Sequence, residues 1–316
     1  MKNHLVTALA LALASQVHAA EDCRLKQVAA LALKLDAAGE YTIPLTVGGQ
    51  ERRFVLGLNV PFSAISGSFA DAQGFKSHNL PDALVPELGG EKIERQVDVP
   101  EFSIGPVRAK DYRMLRVQNA VVSDPDVTGV AGLDLLENFD VELDLKNSAL
   151  RLFSQDHCKG RVVYWADSSA VVPFDVDKSG HIAFAMQLDG KKVNVDFDVA
   201  RGPALMPLPV AKRVFDLTGT SPGMQALPQG TSYRYPFKSL SLEGIQIANP
   251  AIVLYPWTGP ECRPNLHFVE GRESRCFGVA DMRLRADELD KLRLYFAFKE
   301  KTLYATAADS GAAKTP

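Results

Sequence analysis

Apolar and polar residues alternate along most of this chain, and the alternation is broken by glycine-containing turns. In Gly39 to Ile65, Ile43, Leu45 and Val47 form one apolar row and Phe54 and Leu56 another, with Gly48-Gly49 between them. A period of two predicts strands, and the glycine pair predicts a tight turn, so this stretch reads as a β-hairpin with one buried face. The same design returns in Gly180 to Met206 at a constant offset of 141 residues, without a gap. Gly39 meets Gly180, Val47 meets Leu188, Gly49 meets Gly190 and Phe54 meets Val195.

Two further matches follow in the same order. Phe102 to Val117 lies against Leu240 to Tyr255 at an offset of 138, each a strand pair around a glycine turn. Val130-Ala131-Gly132-Leu133-Asp134 is set against Val279-Ala280-Asp281-Met282-Arg283, and Val141 to Leu145 and Leu150 to Leu152 against Leu294 to Phe298 and Leu303 to Ala305. Short helices are expected between them, over Leu133 to Phe139 and Arg283 to Leu292. Three collinear matches favour internal duplication over a chance likeness of hairpins. The expectation is a mostly β chain with two homologous lobes, residues 36–155 and 171–308, a link at 156–170 and a disordered tail at 309–316. Residues 77–92 and 218–230 read as corresponding mobile loops. Asp140, Glu142 and Asp144 alternate on one strand, which reads as a solvated face rather than a calcium site.

Charge narrows the function. With 35 Lys and Arg against 38 Asp and Glu the net charge is -3, which argues against nucleic acid as a partner. Residues 1–20 carry Lys2, an apolar run from Leu5 to Ala14 and small residues at Ala19-Ala20, the pattern of a cleaved secretory signal. No later segment is long and apolar enough for stable membrane insertion, so a periplasmic or secreted placement is expected. The four cysteines allow three pairings, of which Cys23 with Cys158 and Cys262 with Cys276 are favoured. There is no Cys-x-x-Cys, and the six histidines are scattered, so no metal site and no cofactor is expected. Ser63, Asp71 and His78 form a Ser-His-Asp set only in the sense that such residues are common.

The order of hairpin, loop, strand, hairpin, apolar turn, short helix and final strand resembles the retropepsin-like aspartic proteases, in the exported bacterial two-lobe form. Phe54-Val55-Leu56 leads into the position of the family's Asp-Thr-Gly loop, and Phe62 to Ser66 is similar to the strand after it. Val130 to Leu136, Asp140 to Asp144 and Leu150 to Phe153 resemble the closing segment. The likeness spans nearly the whole chain after the signal and is strongest at the end of lobe one. It implies a bilobal, pepsin-like arrangement with a cleft between the lobes.

The same resemblance implies a degenerate site. Gly57-Leu58-Asn59 stands where lobe one would carry Asp-Thr-Gly, and Phe54 to Ser66 contains no acid. Lobe two has Asp198-Val199-Ala200, which keeps the acid and loses the threonine and glycine. An aspartic protease needs two carboxyls that share a proton, one as base toward water and one as acid toward the carbonyl. Asp198, with Gly57 at the partner position, supplies only one; a structural pairing with Arg201 stands level with a functional role for it. The function expected is an inactive, monomeric protease-like protein that holds a peptide, a protein segment or a small ligand over Gly57, Leu58, Asn59, Asp198, Val199 and Ala200. An active peptidase or other hydrolase built on Asp198 is the alternative, and a structural cell-envelope protein is the third reading.

Overall fold

The computed structural model describes residues 23–81, 86–88, 91–118, 124, 126–176, 180–228, 230–257 and 280–310. The signal at 1–20, the Cys262–Cys276 pairing and the end of the tail lie outside them. Lobe one comprises β1 (Gln27–Ala32), β2 (Lys34–Leu35), β3 (Tyr41–Val47), β4 (Gln50–Leu56), β5 (Ala64–Ser66), α1 (Gly67–Ala72), β6 (Lys76–Asn79), β7 (Glu87–Leu88), β8 (Glu91–Lys92) and β9 (Arg95–Val99). It closes with β10 (Phe102–Ile104), β11 (Val107–Ala109), β12 (Tyr112–Val117), β13 (Val127–Ala131), α2 (Leu133–Leu136), β14 (Asp140–Asp144) and β15 (Ala149–Phe153). Lobe two comprises β16 (Ala170–Val176), β17 (Ile182–Leu188), β18 (Lys191–Phe197), β19 (Ala204–Pro207), α3 (Leu208–Phe215), β20 (Gln225–Ala226) and β21 (Tyr233–Arg234). It ends with β22 (Ser239–Leu242), β23 (Ile245–Ala248), β24 (Ile252–Tyr255), β25 (Met282–Leu284), α4 (Ala286–Leu289), β26 (Leu292–Ala297) and β27 (Thr302–Ala307).

The hairpins follow from their turns. Gly48 and Gly49 both have positive φ, 58° and 75°, and the lobe-two turn repeats this with Asp189 at 46° and Gly190 at 77°. Two consecutive left-handed residues make the turn whose twist matches paired strands. The register then points Ile43, Leu45, Val47, Phe54 and Leu56 into the core, all at most 1% exposed.

Each lobe has the same strand connectivity. β4 pairs in parallel with β13, and β13 runs antiparallel to β5, which pairs in parallel with β12. In lobe two β18, β25, β19 and β24 pair in the same senses. The backbone register corrects one match. Leu56 pairs Ala131 while Phe197 pairs Leu284, so Gly132 corresponds to Arg285, not to Asp281. A glycine turn cannot anchor a gapless comparison when its counterpart is an arginine. The helices are also shorter than expected, and the two loops contain strands: β6 pairs β9 and β20 pairs β21.

The lobes meet through a sheet in the order β1-β15-β14-β26-β27-β16. At its centre Glu142 pairs Tyr295, with Val141 opposite Phe296 and Leu143 opposite Leu294. Here the expected solvated face is overturned: Asp140, Glu142 and Asp144 are 0%, 0% and 1% exposed. Residues 154–170 cross over this face and seal it with Val162 and Trp165, both buried. Burial is tolerated because every charge is met. Arg293 donates to Glu142 Oε1 at 2.7 and 3.0 Å, Arg151 at 2.5 Å, and Tyr164 donates to Oε2 at 2.8 Å. His157 Nε2 lies 2.5 Å from Asp140 Oδ2, and the Phe298 N–H donates to Oδ1 at 3.0 Å. A disulfide joins Cys23 to Cys158 beside this cluster, with Cα atoms 4.8 Å apart.

Candidate functional site

The two loops expected to carry the site leave equivalent strands. The Gly57 N–H donates to Ala131 O at 2.9 Å, and the Asp198 N–H donates to Leu284 O at 2.8 Å. Contacts across the lobe boundary are reciprocal. The Arg201 N–H donates to Gly39 O at 2.8 Å, and Gly180 lies so close to Pro61 that a methyl on it would fall 2.5 Å from the proline Cβ. Each loop therefore rests on the turn that precedes the other lobe's first hairpin.

Lobe one has no space for a side chain at position 57. A Cβ on Gly57 would stand 2.7 Å from Val130 Cγ1 and 3.0 Å from both Val60 Cβ and Ala131 O. Leu58, expected to stand where the resembled family has threonine, is 1% exposed and belongs to the core. The loop is held from behind by Ser63 and Asp134. Ser63 donates to Asp134 Oδ1 through its hydroxyl at 2.7 Å and its N–H at 2.8 Å, and its Oγ accepts the Gly132 N–H at 2.9 Å. Burial raises the Asp134 carboxyl, and burial together with the Asp134 charge pushes the Tyr112 phenol up to about 12. Ser63, Asp71 and His78 do not meet: Ser63 engages Asp134, Asp71 engages Arg116 and His78 engages Asp98.

Asp198 is half-buried, with 28% of its side chain exposed. Its Oδ1 accepts the Ala200 N–H at 3.2 Å, and its Oδ2 lies 3.9 Å from Arg285 Nε. The cation facing Asp198 is thus Arg285 rather than the expected Arg201, whose side chain bonds to the Tyr41 hydroxyl. Val199 and Ala200 are each 1% exposed, so no hydroxyl from these positions crosses the lobe boundary.

Arg285 fits because bulk is exchanged between the two lobes. In lobe one a Cβ on Gly132 would fall 2.4 Å from the Phe62 carbonyl carbon, so the turn requires glycine. In lobe two the small residue is Gly202, and the Arg285 guanidinium occupies the space where a Gly202 side chain would sit, at 2.7 Å. Asp287 is the counterpart of Asp134: its Oδ1 accepts the Gly202 N–H at 3.2 Å.

Sequence reasoning also missed Glu40. Its carboxyl is raised by burial first, then by the negative charges of Asp198 and Asp36, while Arg285 draws it down. The signal for Glu40 was its place directly after Gly39, on a turn already matched between the lobes. The signal for Arg285 was the shared acid two residues on, Asp134 in one lobe and Asp287 in the other. Beside this group an open cavity of about 400 Å³ is lined by Tyr41, Arg201, Gly202, Ala286, Asp287 and Asp290. Among the described residues no cluster of His, Cys, Asp or Glu has the makings of a metal site. No helix among them is long and apolar enough to cross a membrane.

No protein-family model matches the chain, and no curated protein matches it. Solved structures do. Basic 7S globulin from soybean is similar with a TM-score of 0.53 at 11% identity, over 91% of this chain and 96% of that one. Conglutin gamma, a basic 7S globulin from lupine seeds, gives 0.52 at 10% identity over 91% and 96%. EDGP gives 0.52 at 10% identity over 90% and 98%. At these identities the likeness is one of fold: a mostly β, bilobal, pepsin-like arrangement with short helices. It corrects two expectations. The bacterial retropepsin-like assignment gives way to this broader pepsin-like fold, because the similar structures include plant globulins. The bacterial periplasmic placement gives way with it, because that placement came with the bacterial assignment and the similar structures include plant seed globulins. Of the two loops, Gly57-Leu58-Asn59 carries no acid and Asp198-Val199-Ala200 carries one.

Proposed function

We propose that this chain is a non-hydrolytic, protease-like binding protein that arose by tandem duplication of one lobe. Its ligand is an extended peptide or a small molecule held between the lobes, met by Asn59 on one side and Asp198 on the other, with the buried Gly57, Leu58, Val199 and Ala200 forming the loops behind them. One observation carries the reading: the position opposite Asp198 is a glycine packed so closely by Val130 and Val60 that it admits no side chain. Asp198 itself is committed to its own loop and to Arg285. A single carboxylate set opposite a guanidinium suits charge recognition better than the proton sharing of two facing carboxyls. Matching connectivity and the equivalent backbone bonds of Gly57 and Asp198 support the duplication.

The test is a diverse peptide library incubated with the purified chain at acidic and neutral pH, read by both turnover and retention. Retention without turnover is expected, weakened by Asp198→Asn. Gly57→Asp alone is expected to give no turnover and to destabilise the chain by about 1–3 kcal/mol, since overpacking must displace Val130 or Val60. Cleavage that vanishes in Asp198→Asn would overturn the reading, and Glu40 would then be the first residue to examine as a second acid.

A further inference from the structure

We propose that residues 156–170 are a clasp over the lobe junction, released by thiol–disulfide exchange at Cys23–Cys158. The clasp covers a face whose central strands β14 and β26 come from different lobes. Beneath it lie Asp140, Glu142, Asp144 and Arg293, none more than 4% exposed. The clasp also buries its own ionisable group, since the His157 side chain is 2% exposed and sits between Asp140 at 2.5 Å and Glu300 at 3.6 Å.

That composition makes opening a discrete event. Withdrawing several ions from water is costly, and good pairing only offsets the cost. When the clasp lifts, those ions regain water, which offsets the loss of apolar contact at Val162 and Trp165. Opening is therefore easier than the packing alone implies, and an added restraint decides which state prevails. The disulfide is that restraint. It fastens the residue next to His157 to the segment leading into β1, whose own hold at that end is the Ser154 N–H donating to Lys26 O at 2.9 Å.

Cys23 and Cys158 are both half-buried, within reach of a small dithiol. One thiolate of the dithiol attacks either sulfur, forming a mixed disulfide and expelling the other cysteine as a thiolate that takes a proton. The second thiol of the reductant resolves the mixed disulfide. Two cysteine thiols and one oxidised, cyclic dithiol result, so two electrons and two protons have moved. The hairpins β3–β4 and β17–β18 pack in a core cluster distinct from the one that holds Val162 and Trp165.

The experiment is amide hydrogen exchange on the full chain, folded and oxidised, before and after dithiothreitol, with Cys23→Ser/Cys158→Ser alongside. Reduction is expected to speed exchange about tenfold or more at the protected amides of 156–166 and of β14 and β26, leaving β3–β4 and β17–β18 unchanged. The double variant is expected to match the reduced protein and to ignore the reductant, which separates this bond from any other. If the variant does not accumulate, reduction of the folded chain gives the same readout. Unchanged protection over the clasp after reduction would overturn the proposal. So would equal loss in both hairpins, which would make the disulfide a restraint on the whole fold.

Discussion

Asp198 and Glu40 approach one another from different lobes, and their charges are only partly answered. Arg285 faces Asp198 at 3.9 Å, while Glu40 is raised by burial and by the neighbouring carboxylates. A carboxyl raised in the folded state holds its proton more tightly there than in the unfolded chain. Its contribution is complete below the ordinary carboxylate range and is lost as pH rises through the raised value. Glu40→Gln removes that loss. The variant should equal wild type in urea unfolding at pH 4 and exceed it at pH 7, by under about 1 kcal/mol because the group is half-exposed. A gain that is the same at both pH values would show that charge is not the cause.

At the scale of the element, β14 is the instructive strand. Its alternating acids, read by period alone, belong on a wet surface, yet the strand is buried on both faces. Glu142 is the hub of its polar face, accepting from Arg151, Arg293 and Tyr164, and Arg293 lies 4.2 Å from the Trp165 ring centre. Glu142→Ala leaves Arg293 buried and without its closest carboxylate. It should cost about 3–5 kcal/mol, measured by denaturant unfolding, because a buried cation that has lost its hydrogen-bonded partner and keeps only Asp144 at 3.7 Å is far worse than a missing pair. Glu142→Ala/Arg293→Met, which removes the cation as well, should recover part of the loss. Equal destabilisation in single and double variants would deny that the unpaired arginine is the reason.

At the scale of the whole molecule, the junction sheet makes each lobe the other's missing edge. Lobe one expressed alone would leave β14 with open backbone groups and a bare apolar face. Two copies pairing β14 with β14 in the same register would not repair this, because Glu142, which now pairs Tyr295, would face a second Glu142 at the junction. Residues 23–155 alone should therefore give aggregate or unfolded chain by size exclusion with light scattering. A stable compact monomer or closed dimer would show that the lobes do not depend on each other in this way.

Hairpins, glycine turns, the order of strands and the absence of a second acid between Phe54 and Ser66 were all legible along the chain, because period and turn chemistry act over a few residues. The equivalence of Gly57 and Asp198 followed from the same local pattern. What lies around Asp198 was not legible. Arg285 arrives from a strand-helix turn 87 residues later, and Glu40 from the other lobe. The burial of Asp140, Glu142 and Asp144 was likewise decided in three dimensions. Their alternation specifies one face of a strand, and only the packing of residues 154–170 determines that this face meets protein instead of water. Local sequence sets which side a residue points to; the fold sets what waits on that side.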